Sequence, residues 1–441
     1  MQERRSTRMP PSLGGILPGT AVASLVRLYR PRHPERTVLY QLFDRHGERF
    51  FREYDERFEH QYGPLRAVVR RVVDQYLECG RPEGGFARIR CPRCRGEHLL
   101  AFSCQTRNFC PSCQAKRAAL FAEHLVEEVL SPVAHRHVVF TVPKVIRGLF
   151  ERERRLLSIL PRCAHQATQR LLCEAVDDSR AQVGAIASIQ TFGSYAANFH
   201  PHVHALITEG AFHLPRRGDP WFERVEWWDQ KTLTELFRRL VLRELRRAKR
   251  LREETEAMLL SWQHSGFGVH AGEPVLPDHT ERQEHLARYI TRAPIRLDAI
   301  TPLDAEQVRV RTPIHPSTGQ RALELDVLEM IRRLCTQIPA PRQHLVRYYG
   351  WYSHRARGAR ADPQDATIAR APSTARSRSW ARLLRRIFEL DPMLCPQCGV
   401  TMKIVSVIDE AAVVDRILRH LARIGGNDPH EGTAQRAPPR A

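Results

Sequence analysis

The chain has 441 residues, 42 % hydrophobic and 27 % charged, within the range of ordinary globular proteins and long enough for two to four domains at ~100–200 residues each. No apolar run approaches the ~18 residues of a membrane span, which excludes an integral helical membrane protein, and the arginine-bearing start lacks the apolar stretch of a secretory signal, so cytoplasmic residence is expected. Lys+Arg is 69 against Asp+Glu 49, a formal charge of +20, and only Lys116, Lys144, Lys231, Lys249 and Lys403 are lysines; an arginine-dominated excess points to a polyanionic partner, nucleic acid first, with an arginine-rich genome as the rival reading.

In chain order, residues 1–20 read as a disordered tail and 21–130 as a helical, zinc-binding module for DNA recognition. Within it, Pro64 opens a helix over 64–79 with Leu65, Val68, Val69, Val72, Val73 and Tyr76 on its apolar face, and Gly80 stops it. A cysteine-rich patch occupies 91–113. From residue 134 to about 300 a second domain is expected. His137–Val142 is β-rich and ends at Pro143, 145–178 is helical, and Val183–Phe192 and His202–Thr208 are strands joined by the Gly193–Phe199 loop. A helix over 232–262 follows, with Thr232 and Glu235 spaced as a capping box. Its arginine face, including Arg238, Arg239, Arg246 and Arg247, is either solvated or tracks a DNA backbone. Trp221, Trp227, Trp228 and Trp262 are assigned to the core. A helix over about 280–292 stops before Pro294. Residues 301–354 extend the core, 355–378 form an Arg/Ala/Ser/Pro-rich linker, 379–424 a small unit with a second cysteine pair, and 425–441 a disordered tail.

The 11 cysteines are an odd number and cluster, which suggests metal rather than disulfides. Cys91, Cys94, Cys110 and Cys113 form two CxxC knuckles able to place four thiolates about one structural zinc ion, with Cys104 and His98 as substitutes. Arg93, Arg95, Arg107, Lys116 and Arg117 around them suit DNA contact. Cys395 and Cys398 are a possible second zinc half-site, to be completed by His420 or by residues from elsewhere.

His200-Pro-His202-Val-His204 is the most informative segment. In a strand His202 and His204 project from the same face and can chelate a divalent cation. On the 280–292 helix Tyr289 sits at the edge of the apolar stripe. Beside such a cation, a tyrosine hydroxyl can attack a DNA phosphate and store the bond energy as a 5′-phosphotyrosine. Gln190, across the hairpin from His202, is the choice for third ligand, with His200 as runner-up and Mg2+ or Mn2+ as the metal. Arg288 and Arg292 beside Tyr289, and Arg347 and Tyr349 in a run of cations and aromatics, are candidates for DNA binding. No P-loop is present, so ATP-driven translocation is not expected, and no small-molecule cofactor is expected.

These residues resemble the HUH endonucleases, which nick single-stranded DNA. Their order resembles one group in particular, the rolling-circle insertion-sequence transposases of the IS91 type. The resemblance runs from the knuckles at Cys91–Cys113 through Gln190-Thr-Phe-Gly193, His200–Leu206, Ala287–Pro294 and Val346–Gly350 to Cys395–Gly399. It implies an α+β fold: a central antiparallel sheet flanked by helices, an N-terminal zinc ribbon and helical module, and a small C-terminal unit. It also implies a metal-dependent tyrosine DNA strand transferase that nicks and joins element ends and target, associates with the nucleoid and can self-associate. Many members carry two tyrosines four residues apart; here the earlier position is His285, so the chain resembles the single-tyrosine branch. A replication initiator or relaxase with the same chemistry, or a non-catalytic zinc-dependent DNA-binding protein, are the alternatives.

Overall fold

The structure, a computed structural model, describes residues 33–360 apart from 195–196, 216–217, 295 and 315–317, residues 393–423, and the backbone of two short paired strands at 27–28 and 390–391. The expected tails at 1–20 and 425–441 and most of the expected linker lie outside the described residues; the linker's first residues, 355–360, belong to a helix, His354–Arg360.

The N-terminal helices are α1 (Val38–Tyr54) and α2 (Val68–Leu77). The Thr37 hydroxyl caps α1 by accepting from the Tyr40 N–H. Then come β1 (Phe86–Arg90), β2 (Glu97–Ala101), α3 (Pro111–His124) and β3 (His135–Thr141). Next are α4 (Ile159–Ala175), β4 (Gly184–Phe192), β5 (Phe199–Thr208), α5 (Gln230–Arg247), β6 (Gly268–Val275) and α6 (Thr280–Ile290). The chain ends with α7 (Val327–Thr336), β7 (Val346–Gly350) and β8 (Lys403–Ile408).

The centre is a five-stranded antiparallel sheet in the order β7-β4-β5-β3-β6. Nearly every residue of β4 and β5 is buried, because helices cover both faces. Alternation divides the strands. Val138, Phe140, Ala185, Ala187, Ile189, Val203, Ala205 and Ile207 pack under α4 and α5. Their neighbours, including His137, Gln190, His202 and His204, point to the opposite face. There Ile186 and Ala287 join Ala122, Leu125 and Tyr352 in a smaller core beneath α3 and α6. A separate core joins α1, α2 and α7 with residues of the antiparallel strands Ile300–Pro302, Gln307–Arg311 and Ala322–Asp326.

Several expectations change. The sheet does not close by residue 300: its edge strand β7 comes from 346–350, within the stretch assigned to the extension. The 379–424 unit is not separate either, because β8 pairs with β1 to make a three-stranded sheet β8-β1-β2. The 232–262 helix is two helices, α5 and Glu253–Ser261, and the cap is Asp229, whose carboxylate accepts from the Lys231 and Thr232 N–H groups. Its arginine face is largely neutralised within the protein: Arg239 pairs with Glu235, Arg246 with Glu253 and Glu256, and Arg247 with Glu244, while Arg238 is buried against the Leu259 carbonyl. Of the four tryptophans assigned to the core only Trp228 is buried; Trp227 is 77 % exposed, and Trp221 and Trp262 lie at the surface. Hydrophobicity alone does not distinguish a core ring from one left on a loop. Among the described residues no helix is long and apolar enough to cross a membrane.

Candidate active site and metal centres

Eight of the 11 cysteines form two clusters: the expected four-thiolate set is divided between them, and the Cys395/Cys398 half-site is completed from elsewhere in the chain. Cys110 and Cys113 meet Cys79 and Cys104; Cys91 and Cys94 meet Cys395 and Cys398. The pairing of Cys91 and Cys94 with Cys110 and Cys113 is therefore corrected. The hairpin β1–β2 carries the Cys91 knuckle away from α3, and the β8–β1 pairing delivers the C-terminal knuckle to it. His420 is not in the second cluster, and of the two proposed substitutes Cys104 joins the first. Cys79, at the end of α2, has no CxxC partner, so spacing gave no sign of it. In the first cluster the Sγ atoms of Cys79 lie 3.7 Å from those of Cys110 and Cys113, and Cys104 lies 3.6 Å from Cys113. In the second, Cys91 to Cys398 and Cys94 to Cys395 are each 3.4 Å. Four thiolates about a zinc ion with Zn–S of about 2.3 Å stand about 3.8 Å apart, so both sets fit a structural tetrathiolate site.

On the helix-covered face opposite α4 and α5, His202 and His204 stand side by side. The His202 Nδ1 lies 2.7 Å from the His200 carbonyl, which can only accept, so Nδ1 carries the proton and Nε2 is bare in the neutral ring. That Nε2 lies 3.0 Å from His204 Nε2, and His204 Nδ1 lies 2.8 Å from His137 Nε2. Two proton arrangements satisfy these contacts. In one, His137 donates to His204 and His204 to His202, a one-way chain. In the other, His204 donates from Nδ1 to His137, and two bare Nε2 atoms face each other. The second is repulsive unless a cation sits between them. Cis ligands at about 2.1 Å from an octahedral ion stand about 3.0 Å apart, which is the observed spacing.

Burial, first of all, pushes the imidazole pKa values down, to about 4 for His137 and His202 and about 2 for His204; neighbouring His and Arg charges add to the effect. All three rings are neutral at pH 7 and keep lone pairs for a metal. Gln190 is the register partner of His202, as the hairpin reading required. Its Nε2 donates to the Ile290 carbonyl at 2.9 Å, leaving Oε1 buried without a hydrogen-bond partner. An orphaned amide oxygen beside neutral imidazoles suits a hard divalent ion. His137 was missed, although His135-Arg-His137 is itself an alternating pair; His135 is instead spent on Tyr352, whose hydroxyl lies 2.6 Å from its Nε2.

Helix α6 lies over this face because Gln283, Ala287 and Ile290 form its buried stripe. That places Tyr289, half-buried, with its ring centroid 5.4 Å from His204 and 5.6 Å from His137, edge-on to both. The Arg292 guanidinium covers the tyrosine ring at 4.5 Å. Arg288 pairs with Glu284, and His285, one turn before Tyr289, is exposed. Of the residues expected to contact DNA, Tyr349 stacks on His165 of α4, 5.1 Å between centroids, on the face turned away from the histidines, and Arg347 shares its strand parity. Tyr348, the alternate residue, lies on the histidine side with Ile186.

Comparison with known proteins gives matches in the same order as these features. Residues 50–142 match the "Transposase zinc-binding domain" family and residues 184–360 the "Putative transposase" family. A protein of Sinorhizobium fredii described as a putative transposase is 26 % identical over 367 residues, 79 % of this chain and 90 % of the relative. The transposase for insertion sequence element IS801 of Pseudomonas savastanoi pv. phaseolicola is 24 % identical over 370 residues, 80 % of this chain and 87 % of the relative. No solved structure matches. The two domain matches, the two relatives and the cysteine clusters together identify the chain as a transposase of the IS91 type with an N-terminal zinc-binding domain.

Proposed function

We propose that this transposase cuts and rejoins single-stranded DNA through a covalent bond to Tyr289, with His202, His204 and Gln190 as the residues that hold a divalent ion. The observation that carries the reading is the 5.4 Å separation of the Tyr289 and His204 rings. A bound Mg2+ or Mn2+ would supply Lewis-acid polarisation of the scissile phosphate. The protein's own residues do the rest. Helix α6 presents the phenol, and Arg292 fixes its ring while adding positive charge where a phosphate would lie. The phenolic oxygen attacks phosphorus and loses its proton. The bond from phosphorus to the 3′-oxygen breaks, and that oxygen leaves as a free hydroxyl. Attack by a 3′-hydroxyl on the phosphotyrosine reverses the step and joins strands without ATP.

With a cation bound, His137 would hold the proton arrangement in which both Nε2 atoms are bare, by accepting from His204 Nδ1, 2.8 Å away. The initiator or relaxase alternative shares this chemistry, but the transposase relatives favour mobility of an element. The test is incubation with labelled single strands and manganese. A covalent adduct that disappears in Tyr289→Phe is expected. An adduct that persists in Tyr289→Phe would overturn the assignment.

A further inference from the structure

Beside the tyrosine helix lies an open cavity of about 520 Å³, walled by α3 on one side and by β4, β7 and the end of α6 on the other. Its composition is unusual for a gap between packed elements. Arg107, Arg117 and Arg292 line it together with Phe121, Phe192 and Tyr348, and among the described residues no aspartate or glutamate lines it. Leu120 at its edge is 39 % exposed, an apolar side chain left in water. Ser188 and His344 add hydrogen-bonding groups to the lining.

The cavity is also fixed to the site already described. Gln190, Ile290 and Thr291 belong to its lining, and Arg292 spans from it to the Tyr289 ring. The Arg292 guanidinium also lies 5.7 Å from the Phe192 ring. Across the gap, Gln114 Nε2 donates to the Thr291 carbonyl at 2.6 Å. Gln114 follows Cys113, so the first cysteine cluster holds the wall of the cavity in register with the tyrosine helix.

We propose that this cavity takes one unpaired nucleotide of the DNA strand held at Tyr289, its base among the aromatic and apolar side chains and its flanking phosphates on the arginines. The charge excludes a cationic occupant. The combination of rings with guanidinium groups matches a base attached to phosphate better than an apolar ligand, which would leave the positive charge of the lining without a counterpart. This rests on the reading that the chain works on single strands. It adds a base-dependent part to binding that phosphate contacts alone would not give.

The test is equilibrium binding of the full chain to a mixed-sequence single strand of about 20 nucleotides and to an abasic strand of equal length and charge. Stacking of one base on the aromatic lining should make the wild type prefer the strand with bases by about tenfold. Leu120→Glu should remove that preference. Leu260→Glu is the charge-matched control: Leu260 is also exposed, on the helix Glu253–Ser261 that packs against α5 on the other side of the sheet. It should keep the preference. Equal affinity of wild type for both strands, or equal loss in the two glutamate variants, would overturn the proposal. Circular dichroism and zinc content confirm that each variant is folded. Covalent adduct formation, scored on a pool of randomised single strands, separates the two readings. An adduct without base preference overturns the pocket alone. Base preference without an adduct supports the pocket and counts against the nicking chemistry.

Discussion

Replacing both cysteines of the C-terminal knuckle, Cys395→Ser with Cys398→Ser, should cost the protein one of two zinc ions and leave the other. The two clusters share no residue, and each has four thiols within tetrahedral reach. The strand that follows the knuckle has little apolar burial of its own. In β8, Ile404, Val405 and Val407 are 44 %, 50 % and 64 % exposed, so the strand gains little from apolar burial. Its attachment rests on the β8–β1 ladder, on Met402 packed with Ile89 and Leu100, on the helix Ala411–Arg423 against Pro82–Gly84, and on a metal that closes a loop between Cys94 and Cys395, 301 residues apart. A structural zinc site is worth about 10–16 kcal/mol in isolated fingers, comparable to the whole stability of a domain. Zinc content by elemental mass spectrometry should therefore fall from two ions to one. Hydrogen exchange should show loss of protection in Lys403–Ile408 while the central sheet keeps its own. Adding Cys94→Ser should remove no further zinc, whereas adding Cys110→Ser should remove the second ion. The arrangement is refuted if the double variant keeps two ions, or if Cys94→Ser and Cys110→Ser together remove no more than either alone.

Other expectations follow from buried polar groups. His135 is completely buried and its pKa is pushed down to about 4, chiefly by desolvation. The unfolded chain then binds a proton that the folded protein rejects, so stability is level above about 6.5 and falls by roughly 3 kcal/mol as the pH drops from there to about 4. Urea unfolding at a series of pH values should show a shallower acid loss in His135→Gln than in wild type; equal slopes would contradict the reasoning. Glu209 is fully buried and held by Arg136 and Arg224. Glu209→Ala strands a mostly buried guanidinium and should cost about 3–5 kcal/mol in chemical unfolding, against almost nothing if the pair were equivalent to one in solvent. His137→Phe should weaken manganese binding about 10–100-fold by calorimetry without changing zinc content, because it removes the ring hydrogen-bonded to His204 Nδ1. Unchanged affinity would place His137 outside the metal's support.

Periodicity made much of this legible. The alternation in His202-Val-His204 gave both the strand and its two faces, and the apolar stripe of 280–292 gave the helix that bears Tyr289. Register between Gln190 and His202 followed from a hairpin with a short loop. Spacing failed where a contact joins distant segments. Cys79 has no local partner, and only the pairing of β8 with β1 brings Cys395 to Cys94. At Tyr349 the run of cations and aromatics did not show a strand, and only its pairing with β4 decides which of two adjacent tyrosines faces the histidines. His137 lies in a strand marked in the sequence by its valines, and its contact with His204 arises from pairing of β3 with β5 rather than from sequence proximity.

The most direct measurement is the position of the DNA–protein bond itself. Adduct formed on single-stranded DNA with manganese is digested with protease and nuclease, and the peptide that retains a nucleotide is sequenced by mass spectrometry. The account predicts a 5′-nucleotide on the peptide containing Tyr289; a nucleotide on any other residue would contradict it.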